Sequence, residues 1–442
     1  MNKKVIVLDD DPTGCQTVHG INIYTTWTKE ALDDAFQEPR DIFYILTNSR
    51  SMTASQTEVL HRELLNNIIN IAEKYQCDFD VISRSDSTLR GHYPLEPDII
   101  REELERYGKK AHAEFVIPFF KEGGRITEGN VHYIEQKGTR IRADESEYAK
   151  DPIFGYKSSN LKEWIEEKTR GSYSAEKVKS ITLDMVRSGN IDEIVNLILN
   201  STNTQKFVVN ATEYSDLKPF VDALKSPKLK TKTFLFRTAA SFVKVYGEIS
   251  DKPLLTGKDL RQTSNRNGGV VIVGSFVNRT TQQFNHLRNN RSIEEYKLDV
   301  FKEEAQINVL IEETINNINN NVKKGLHSVV YTSREVLLSP SNDTEENLKI
   351  SRKISDHLVS IVKGFSNIPG FIIAKGGITS SDVATKGLKI KKGLVLGQVI
   401  PGVPVWLPDE ESKFPKIPYV VYPGNVGDET SLTKVFDILL EN

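Results

Sequence analysis

Three aspartates stand together near the start of the chain, directly after a short apolar run. The run Val5–Leu8 is typical of a buried strand, and Asp9, Asp10 and Asp11 follow it. Carboxylates packed this closely repel one another unless a cation, a hydroxyl donor or helix amides share their charge. One interpretation is a solvated turn whose aspartates cap a helix. The other is a site whose carboxylates hold substrate hydroxyls, act as a general base or bind Mg²⁺.

A second polar segment has the composition of a binding loop. It follows the predicted strand Phe79–Ser83 and runs from Arg84 to His92, with two arginines, one carboxylate and three hydroxyls. The guanidinium groups of Arg84 and Arg90 suit carboxylate or phosphate, whereas Asp86 suits sugar hydroxyls. The alternative is a polar loop held by its own hydrogen bonds, and the density of functional groups favours a binding role.

A third loop, after the predicted strand Phe115–Pro118, adds glycine and a further cation. Gly123 and Gly124 allow a ligand to approach the backbone closely, and Arg125 follows them. Ligands of open α/β sheets bind beyond the carboxyl ends of strands, so three such loops in one half of the chain are expected to share a site. Together they predict a pocket for an anion that carries hydroxyls, such as a sugar acid.

The second half of the chain carries small-residue turns instead of charged loops. Each follows a predicted strand, and a strand, a small-residue turn and a helix in succession aim backbone amides at phosphate. An ordinary turn is the alternative for each one. The three turns begin at Gly274 after Val270–Val273, at Lys375 after Phe371–Ala374, and at Pro423 after Tyr419–Tyr422.

Short β-branched apolar runs alternate with amphipathic stretches along the chain. In 55–74, apolar residues recur at helical spacing, and Ser55 with Glu58 has the pattern of a capping box. The alternation predicts an α/β fold of two domains, each with a mainly parallel sheet flanked by helices, and a cleft between them. A polar, turn-rich stretch marks the boundary, which gives domains at 1–250 and 269–442 and a linker at 251–268.

The composition argues against several classes of protein. The 442 residues have a net charge of −2, 38% are hydrophobic and 27% are charged, with both signs nearly equal. A disordered chain should be dominated by one sign, and a nucleic-acid partner needs a basic excess. We find neither an apolar run that could span a bilayer nor a secretory signal. The sequence therefore predicts a cytoplasmic protein that acts on small molecules, without nucleic-acid or membrane partners.

Standard catalytic motifs are missing. The sequence contains no P-loop, no GxGxxG after a strand, no kinase HRD or DFG signature and no GxSxG elbow. Cys15 and Cys77 cannot form a disulfide framework or a zinc cage by themselves. His92 and His132 lie near the polar loops, and we expect both to be hydrogen-bonded structural residues.

Taken together, these loops resemble those of the four-carbon acid sugar kinase family, and the resemblance covers nearly the whole chain. The segments that carry the resemblance are Asp10-Asp11-Pro12-Thr13-Gly14, Asp86-Ser87-Thr88-Leu89-Arg90-Gly91, Gly124-Arg125-Ile126-Thr127, Gly274-Ser275 with Thr280 and Gln283, Gly376-Gly377-Ile378-Thr379, and Gly424-Asn425-Val426-Gly427. The sequence departs from the family pattern at three places. Arg84 stands where the family usually has Lys, Ile378 replaces the Glu of the family's GGET motif, and Phe276 and Val277 replace the Cys-Ser that follows Gly274-Ser275 in the family.

The resemblance implies an ATP-dependent kinase that phosphorylates a hydroxyl of a tetronate or 3-oxo-tetronate, with the acid on the N-terminal domain and ATP on the C-terminal domain. ATP chemistry implies Mg²⁺, whose ligands the sequence leaves unknown, and a homodimer is an open expectation. The implied catalytic residues are Asp10, Asp11, Asp86 and Arg90. The implied substrate-binding residues are Thr13, Gly14, Arg84, Ser87, Thr88, Gly124, Arg125 and Thr127. The implied nucleotide-binding residues are Gly274, Ser275, Thr280, Gly376, Gly377, Thr379, Gly424 and Asn425.

Two other functions stay open on the sequence alone. One is an enzyme that acts on the same acid without a nucleotide. The other is a non-catalytic sensor that binds the acid, an option that the replacement at Ile378 supports. The residues also leave open which aspartate would accept the proton of the substrate hydroxyl.

Overall fold

The computed structural model describes residues 3–136, 138–260, 265–335 and 344–441. It divides into two compact units. The N-terminal unit comprises Met1–Thr17 and Thr26–Asp251, and the C-terminal unit comprises Val18–Thr25 and Lys252–Asn442. Among the described helices, none is both long and apolar enough to cross a membrane.

Strands and helices alternate through both units. The strands are β1 (Lys4–Asp9), β2 (Ile21–Tyr24), β3 (Ile42–Leu46), β4 (Phe79–Arg84), β5 (Ala111–Ile117), β6 (Arg125–Glu128), β7 (Val131–Gln136), β8 (Thr139–Arg142), β9 (Lys179–Ile181), β10 (Gln205–Val209), β11 (Thr233–Thr238), β12 (Val270–Val273), β13 (Glu294–Leu298), β14 (Ser328–Thr332), β15 (Ile372–Lys375), β16 (Lys392–Ile400), β17 (Val403–Pro408) and β18 (Tyr419–Tyr422). The helices are α1 (Lys29–Gln37), α2 (Ala54–Tyr75), α3 (Leu95–Arg106), α4 (Leu161–Lys168), α5 (Leu183–Arg187), α6 (Ile191–Leu199), α7 (Tyr214–Leu224), α8 (Ala240–Tyr246), α9 (Gly257–Leu260), α10 (Asn278–Asn290), α11 (Glu304–Lys323), α12 (Thr344–Lys363), α13 (Gly377–Asp382) and α14 (Ser431–Leu440).

The N-terminal unit contains seven parallel strands in the order β3-β1-β4-β11-β5-β10-β9. All five residues of β3 and all six of β4 are buried, as the near-continuous apolar runs of a two-sided parallel sheet require. The chain passes from β1 to β3 on one side and then crosses to β4 on the other. The carboxyl ends of β1 and β4 therefore form the switch point at which open α/β sheets bind ligands.

A small antiparallel sheet, β6-β7-β8, belongs to the same unit. It begins at Arg125, within the segment that the sequence analysis assigned to a polar loop. Thr127 and Ala211 exchange backbone hydrogen bonds of 2.9 and 3.1 Å, which hold this sheet against the loop that follows β10. The glycine-rich segment is therefore a short turn that leads into a strand.

The C-terminal unit has five parallel strands in the order β13-β14-β12-β15-β18, extended by β17, β16 and β2 in antiparallel pairing. The chain leaves β12 towards β13 and β14 on one side, and then crosses to β15 and β18 on the other. The carboxyl ends of β12 and β15 form the corresponding switch point of this unit. Two α/β units with mainly parallel sheets confirm the predicted fold class.

The structure differs from the predicted domain boundaries at two places. Val18–Thr25 belongs to the C-terminal unit, since β2 pairs with β16 and sets Ile21 opposite Val395. The described part of the predicted linker from Lys252 onward belongs to the C-terminal unit, where the backbone amide of Leu255 donates to the carbonyl of Gln398 at 2.8 Å. Residues 261–264 of that linker lie outside the described residues. In each of these contacts the two residues are more than one hundred positions apart in the sequence, so the local composition could not predict the contact.

Helix α2 was predicted from the sequence, but its N-terminal end lies two residues earlier than the predicted capping box indicates. The helix is present, but its capping box is formed by Thr53 and Gln56 rather than by Ser55 and Glu58. The Thr53 hydroxyl accepts from the Gln56 amide at 3.3 Å, and the Gln56 side chain accepts from the Thr53 amide at 3.1 Å. Both pairs fit the same spacing, so the pattern alone could not choose between them.

Candidate active site

A cluster of arginines and aspartates occupies the carboxyl edge of the N-terminal sheet. Strand β1 pairs with β4 so that Asp9 lies opposite Arg84. One guanidinium nitrogen of Arg84, Nη1, donates to Asp9 Oδ1 at 2.9 Å and to Asp10 Oδ1 at 3.3 Å. All three side chains are at most 3% exposed. The predicted crowding of carboxylates is therefore real, and a buried arginine shares their charge.

Arg50 is a second cation of this cluster, and it lies outside the polar loops predicted from the sequence. It lies just beyond β3, in the single 3₁₀ turn Ser49–Ser51. Its Nη2 lies 2.5 Å from Asp11 Oδ2 and 3.8 Å from Asp10 Oδ1, and its Nη1 lies 3.5 Å from Asp86 Oδ2. Arg50 therefore joins the loop after β1 to the loop after β4. No local motif places Arg50 in the site. Its position follows from the order of the strands, because β3 and β4 flank β1.

The loop after β4 is organised around the Asp86 carboxylate. Thr88 Oγ1 and Arg90 Nε, the latter at 2.7 Å, both donate to Asp86 Oδ2. The Arg90 guanidinium lies over the Tyr148 ring at 5.0 Å, and its Nη1 approaches Asp151 at 3.5 Å. Arg90 keeps 24% of its side chain exposed. It is thus oriented by its neighbours and still able to meet a ligand.

Burial raises the pKa of two of these carboxyls. The pKa of Asp9 rises from 3.8 to about 7, because desolvation outweighs the attraction of Arg84. The pKa of Asp10 rises to about 6 for the same reason, although Arg50 and Arg84 oppose the rise. A group whose pKa lies near neutral pH can take up and release a proton under working conditions.

The other two carboxyls are held ionised. Burial pushes the pKa of Asp11 upwards, but Arg50, Arg84 and the hydrogen bonds from Thr13 outweigh it, so the pKa falls below its ordinary value. The pKa of Asp86 is also lowered, because Arg90 and Arg50 overcome the desolvation. Neighbouring carboxylates thus divide into two proton-accepting and two permanently charged groups.

The glycines of this site lie where a side chain would collide with the cluster. A Cβ on Gly14 would stand 2.0 Å from Asp9 Oδ1, and one on Gly91 would stand 2.6 Å from Arg237 Nη2 and 3.1 Å from Asp10 Oδ2. Asp9 Oδ2 and Asp10 Oδ2 make no hydrogen bond within the described part of the chain. Asp9 is covered by Gly14, whereas the free oxygen of Asp10 points to the loop that carries Arg90.

The raised pKa of Asp9 predicts how the stability of the N-terminal unit depends on pH. With a pKa of about 7 when folded and 3.8 when unfolded, the folded state binds more protons between these values. The free energy of unfolding therefore falls as the pH rises from about 4 to about 7. We expect Asp9→Asn to remove much of this fall, because asparagine does not ionise.

Urea unfolding at about pH 4.5 and about pH 7.5 measures this effect, with hydrogen exchange of the β1 and β4 amides reporting the N-terminal unit alone. The wild-type protein should lose stability between the two pH values, and the variant should lose clearly less. An equal loss in both proteins is the result that contradicts a raised pKa at Asp9.

The third predicted loop is tied to the second by a histidine. His132 is buried, and its ring nitrogens bond the Thr127 hydroxyl at 2.9 Å and the Ser87 carbonyl at 2.7 Å. Burial lowers the pKa of His132 to about 4, so the ring is neutral. This is the structural role expected of it. Arg125 donates to the carbonyl of Gly123 within its own turn.

The remaining residues of these loops also have defined positions. The Thr13 hydroxyl donates to Asp11 Oδ1 at 2.5 Å and its amide donates to the same oxygen at 2.8 Å. Gly124 has a φ of +68°, and a Cβ there would stand 2.4 Å from the carbonyl of Glu135. It therefore serves the turn into β6. His92 bonds the carbonyls of Ser49 and Met52, both at 3.1 Å, in the structural role expected of it.

Beneath the cluster lies a second buried ion pair that the sequence analysis did not single out. Arg237, the second-last residue of strand β11, donates to Glu96 Oε2 and, at 3.1 Å, to Ser83 Oγ. Ser49 Oγ donates to the other oxygen of Glu96 at 2.5 Å. Arg237 and Asp86 also line a small cavity. The sequence feature that could have indicated this ion pair is an arginine within an otherwise apolar strand, since a buried charge needs a partner.

In the C-terminal unit, the turns after β12 and β15 are packed against each other. A Cβ on Gly274 would stand 2.1 Å from the Thr379 hydroxyl, and one on Gly376 would stand 2.9 Å from Ser275 Cβ. Gly376 has a φ of +119°, which side chains rarely adopt. Both turns therefore need glycine for their close approach, as a backbone cradle for phosphate does.

The turn after β18 joins the same arrangement. The Thr280 hydroxyl donates to the carbonyl of Gly424 at 3.0 Å, and its oxygen lies 3.2 Å from Ser275 Oγ, within hydrogen-bond distance. Gln283, which is buried on α10, donates to the carbonyls of Val426 and Asp428 at 2.9 and 2.7 Å. Of the other predicted nucleotide-binding residues, Gly377 begins α13 and Asn425 lies in the turn after β18.

Lys375 is a fully buried lysine beneath these turns. Its Nζ donates to the carbonyl of Pro423 at 2.5 Å and lies 4.0 Å from the centre of the Tyr422 ring. Burial lowers the pKa of Lys375 well below its ordinary value, and the charge of Arg279 adds to the effect. Lys375 thus ties the turn after β15 to the turn after β18 from below.

The candidate sites differ in what they offer an ATP–Mg²⁺ complex. The glycine turns and the N-terminus of α10 present backbone amides, which suit phosphate. In the four described ranges, no three His, Cys, Asp or Glu residues are grouped so that they could hold a metal ion. The carboxylates of the N-terminal cluster form ion pairs with arginines instead. The described residues therefore form no cage for Mg²⁺.

Two family models match the chain. One is described as a sugar-binding N-terminal domain and matches residues 5–246, and the other is described as a nucleotide-binding C-terminal domain and matches residues 270–432. No curated protein matches. The two matches cover most of the chain and correspond to the two units of the structure.

Solved structures share the fold over nearly the full length. A protein from Salmonella typhimurium LT2, provisionally described as a tRNA synthase, is 16% identical, with a TM-score of 0.69 and 98% of each chain covered. Haemophilus influenzae protein HI1011, from a family of unknown function, is 17% identical, with a TM-score of 0.63, and 98% of this chain and 100% of that chain are covered. At such identities the likeness shows the fold alone, whereas the two matching family models show that this chain belongs to the four-carbon acid sugar kinase family.

Proposed function

We propose that this protein is an ATP-dependent kinase that phosphorylates a hydroxyl of a small sugar acid of the tetronate or 3-oxo-tetronate type. The observation that carries the proposal is the cluster at the switch point of the sugar-binding domain. There Asp10, whose pKa is about 6, stands among Arg50, Arg84 and Arg90. A proton acceptor beside several guanidiniums suits a hydroxylated anion.

The arginines of the cluster divide into two groups by exposure. Arg84 is 3% exposed and engaged by Asp9 and Asp10, so it neutralises the site from within. Arg50 and Arg90 are 17% and 24% exposed. They are the groups that can contact the substrate carboxylate or the transferred phosphoryl group, where fixed positive charge stabilises the transition state.

Asp10 is the proposed general base. Asp11 and Asp86 are poor proton acceptors because arginines and hydroxyls hold their pKa values low. Asp9 has a raised pKa, but it is fully buried beneath Gly14. Asp10 is also buried and has a raised pKa, but its Oδ2, which has no hydrogen-bond partner among the described residues, faces the loop that carries Arg90, since a Cβ on Gly91 would stand 3.1 Å from it. It would accept the proton of the substrate hydroxyl as that oxygen attacks the γ-phosphorus and ADP leaves.

The nucleotide is assigned to the glycine turns of the C-terminal unit. Gly274, Ser275 and Gly376 bring backbone close to backbone, and Thr280 and Thr379 line the same turns. Backbone amides at the start of α10 suit a phosphate chain. Mg²⁺ would arrive with ATP and be held chiefly by its phosphates, as is common for this ion.

Release of ADP tests the proposal. Purified protein is incubated with ATP, Mg²⁺ and a panel of tetronates and 3-oxo-tetronates, and ADP is measured with and without each acid. Acid-dependent ADP release supports a kinase. Thermal stabilisation by an acid, with none by ATP, would favour an enzyme that needs no nucleotide. Binding of an acid without any chemical change would favour a sensor.

Arg90→Ala tests the placement of the site. We expect kcat/KM for the best acid to fall by roughly 100-fold or more, because a charge-stabilising group is lost. Arg101→Ala is the matched control, since Arg101 is another arginine that pairs with an aspartate, Asp98 at 3.3 Å, on the exposed face of α3. The control should keep normal turnover. Normal turnover by Arg90→Ala would show that the site is placed wrongly.

A further inference from the structure

Arg334 lies at the carboxyl edge of the C-terminal sheet and belongs to none of the motifs described above. It follows β14 by two residues, and β14 is the neighbour of β12. Its Nη2 donates to the carbonyl of Ser275 at 2.5 Å. The Arg334 guanidinium therefore lies against the first glycine turn of the nucleotide-binding domain.

The rest of this guanidinium is buried without a partner. Its Nε and Nη1 are inaccessible to solvent and make no hydrogen bond within the residues that the structure describes. Burial lowers the pKa of Arg334, and the Tyr331 hydroxyl opposes this shift. Arginine cannot shed its charge in a protein, so buried N–H groups without acceptors are costly. Such donors are expected where an anion binds.

The position of Ser275 indicates which anion. Ser275 is packed between Gly376 and Gly424, and the Thr280 hydroxyl oxygen lies 3.2 Å from its Oγ. The turns after β12, β15 and β18 thus converge on this residue, and Arg334 reaches it from the end of β14. The glycine turns supply backbone amides, and the Lys375 amino group is engaged by the carbonyl of Pro423. Arg334 adds a guanidinium whose Nε and Nη1 make no hydrogen bond among the described residues.

We propose that Arg334 binds a phosphate oxygen of the nucleotide polyphosphate, completing the phosphate site that the glycine turns of this domain begin. The inference rests on the proposed nucleotide binding and extends it to a residue outside the family motifs. The N–H groups on Nε and Nη1, which are unpaired among the described residues, can each donate a charge-assisted hydrogen bond to a phosphate oxygen. Arg334 would therefore contribute affinity for the phosphate chain and none for the nucleoside.

Calorimetry on the full-length protein tests this with ATP, ADP, adenosine and inorganic pyrophosphate as probes. We expect Arg334→Met to weaken ATP, ADP and pyrophosphate binding by roughly 10-fold or more and to leave adenosine unaffected. Arg291→Met is the matched control, because Arg291 forms an exposed ion pair with Asp437 in the same unit. The control should bind every probe as the wild-type protein does.

The melting temperature without ligand separates a binding role from a structural one. Removal of an uncompensated buried charge should leave the melting temperature of Arg334→Met unchanged or raise it. A marked fall would show that Arg334 supports the fold, and Arg334→Lys, which keeps the charge, would then be tested against the same probes. Partial retention of pyrophosphate binding by Arg334→Lys supports the inference, and full loss overturns it.

The probes also distinguish this inference from the proposed function. If the protein binds pyrophosphate in an Arg334-dependent manner but does not bind ATP, the role of Arg334 in anion binding is supported and the proposed kinase activity is contradicted. If wild-type protein and Arg334→Met bind ATP with equal affinity, the proposed kinase function is retained and the proposed role of Arg334 is overturned. Binding of none of the phosphate probes by the wild-type protein would overturn both.

Discussion

Asp10→Asn is expected to lower kcat by roughly 10²–10⁴-fold, the range for loss of a general base. The variant keeps the shape and one acceptor oxygen of the side chain, and it replaces a buried carboxyl whose pKa is already raised to about 6. Its fold should therefore be at least as stable as that of the wild-type protein near neutral pH. Binding of the acid, measured by calorimetry, should change far less than turnover.

The pH profile identifies the base more sharply than the loss of rate does. A carboxyl must be ionised to accept a proton, so wild-type kcat/KM should rise with pH through about 6 and then level off. In Asp10→Asn the residual activity should lack this acidic limb. Asp11→Asn is the comparison, because the low pKa of Asp11 predicts that its removal leaves the limb in place. An unaltered limb in Asp10→Asn would assign the proton to another group.

The parts of the site that are close together in sequence could be predicted. Asp10, Asp11, Asp86 and Arg90 stand in two short segments directly after apolar runs, and the structure brings both segments together through Arg50. Arg50 itself could not be found in this way. It follows its strand by four residues and is the lone charge of its turn, so its role depends on β3 lying beside β1.

Buried charges within elements show the same limit. Lys375 ends a buried strand, and the sequence analysis included it in a turn without giving it a role. Its partners, the carbonyls of Pro423 and Gly424, lie almost fifty residues away. A sequence shows that a charge is embedded in an apolar run, but only the order of the strands shows which group compensates for it.

The fold divides along similar lines. Strands β12 and β18 were predicted to the residue, because buried parallel strands are continuous apolar runs between polar turns. Strands β16 and β17 and the short β2 were missed. Strand β16 alternates buried and partly exposed residues and contains Gly393 and Gly397, which weaken the strand pattern. Its pairing with β2 also spans most of the chain.

The buried cluster makes Arg84 a residue of high structural importance, and Arg84→Met is expected to destabilise the N-terminal unit by about 3–5 kcal/mol. Methionine fills a similar volume but leaves Asp9 and Asp10 buried without the guanidinium that bonds both of them. Arg62→Met is the control. Arg62 also bridges several carboxylates, but it is one-third exposed, so its loss should cost no more than about 1 kcal/mol.

The pH dependence of this loss decides whether charge or packing is responsible. Without Arg84 the pKa of Asp9, already about 7, should rise further, so the carboxyl can escape the penalty at low pH by binding a proton. The destabilisation by Arg84→Met should therefore be larger at about pH 8 than at about pH 5. Adding Asp9→Asn should recover part of the loss at about pH 8, because the uncompensated charge is then gone. Hydrogen exchange of the β1 and β4 amides measures each difference, and a loss that is equal at both pH values and unaffected by Asp9→Asn would assign the whole effect to packing.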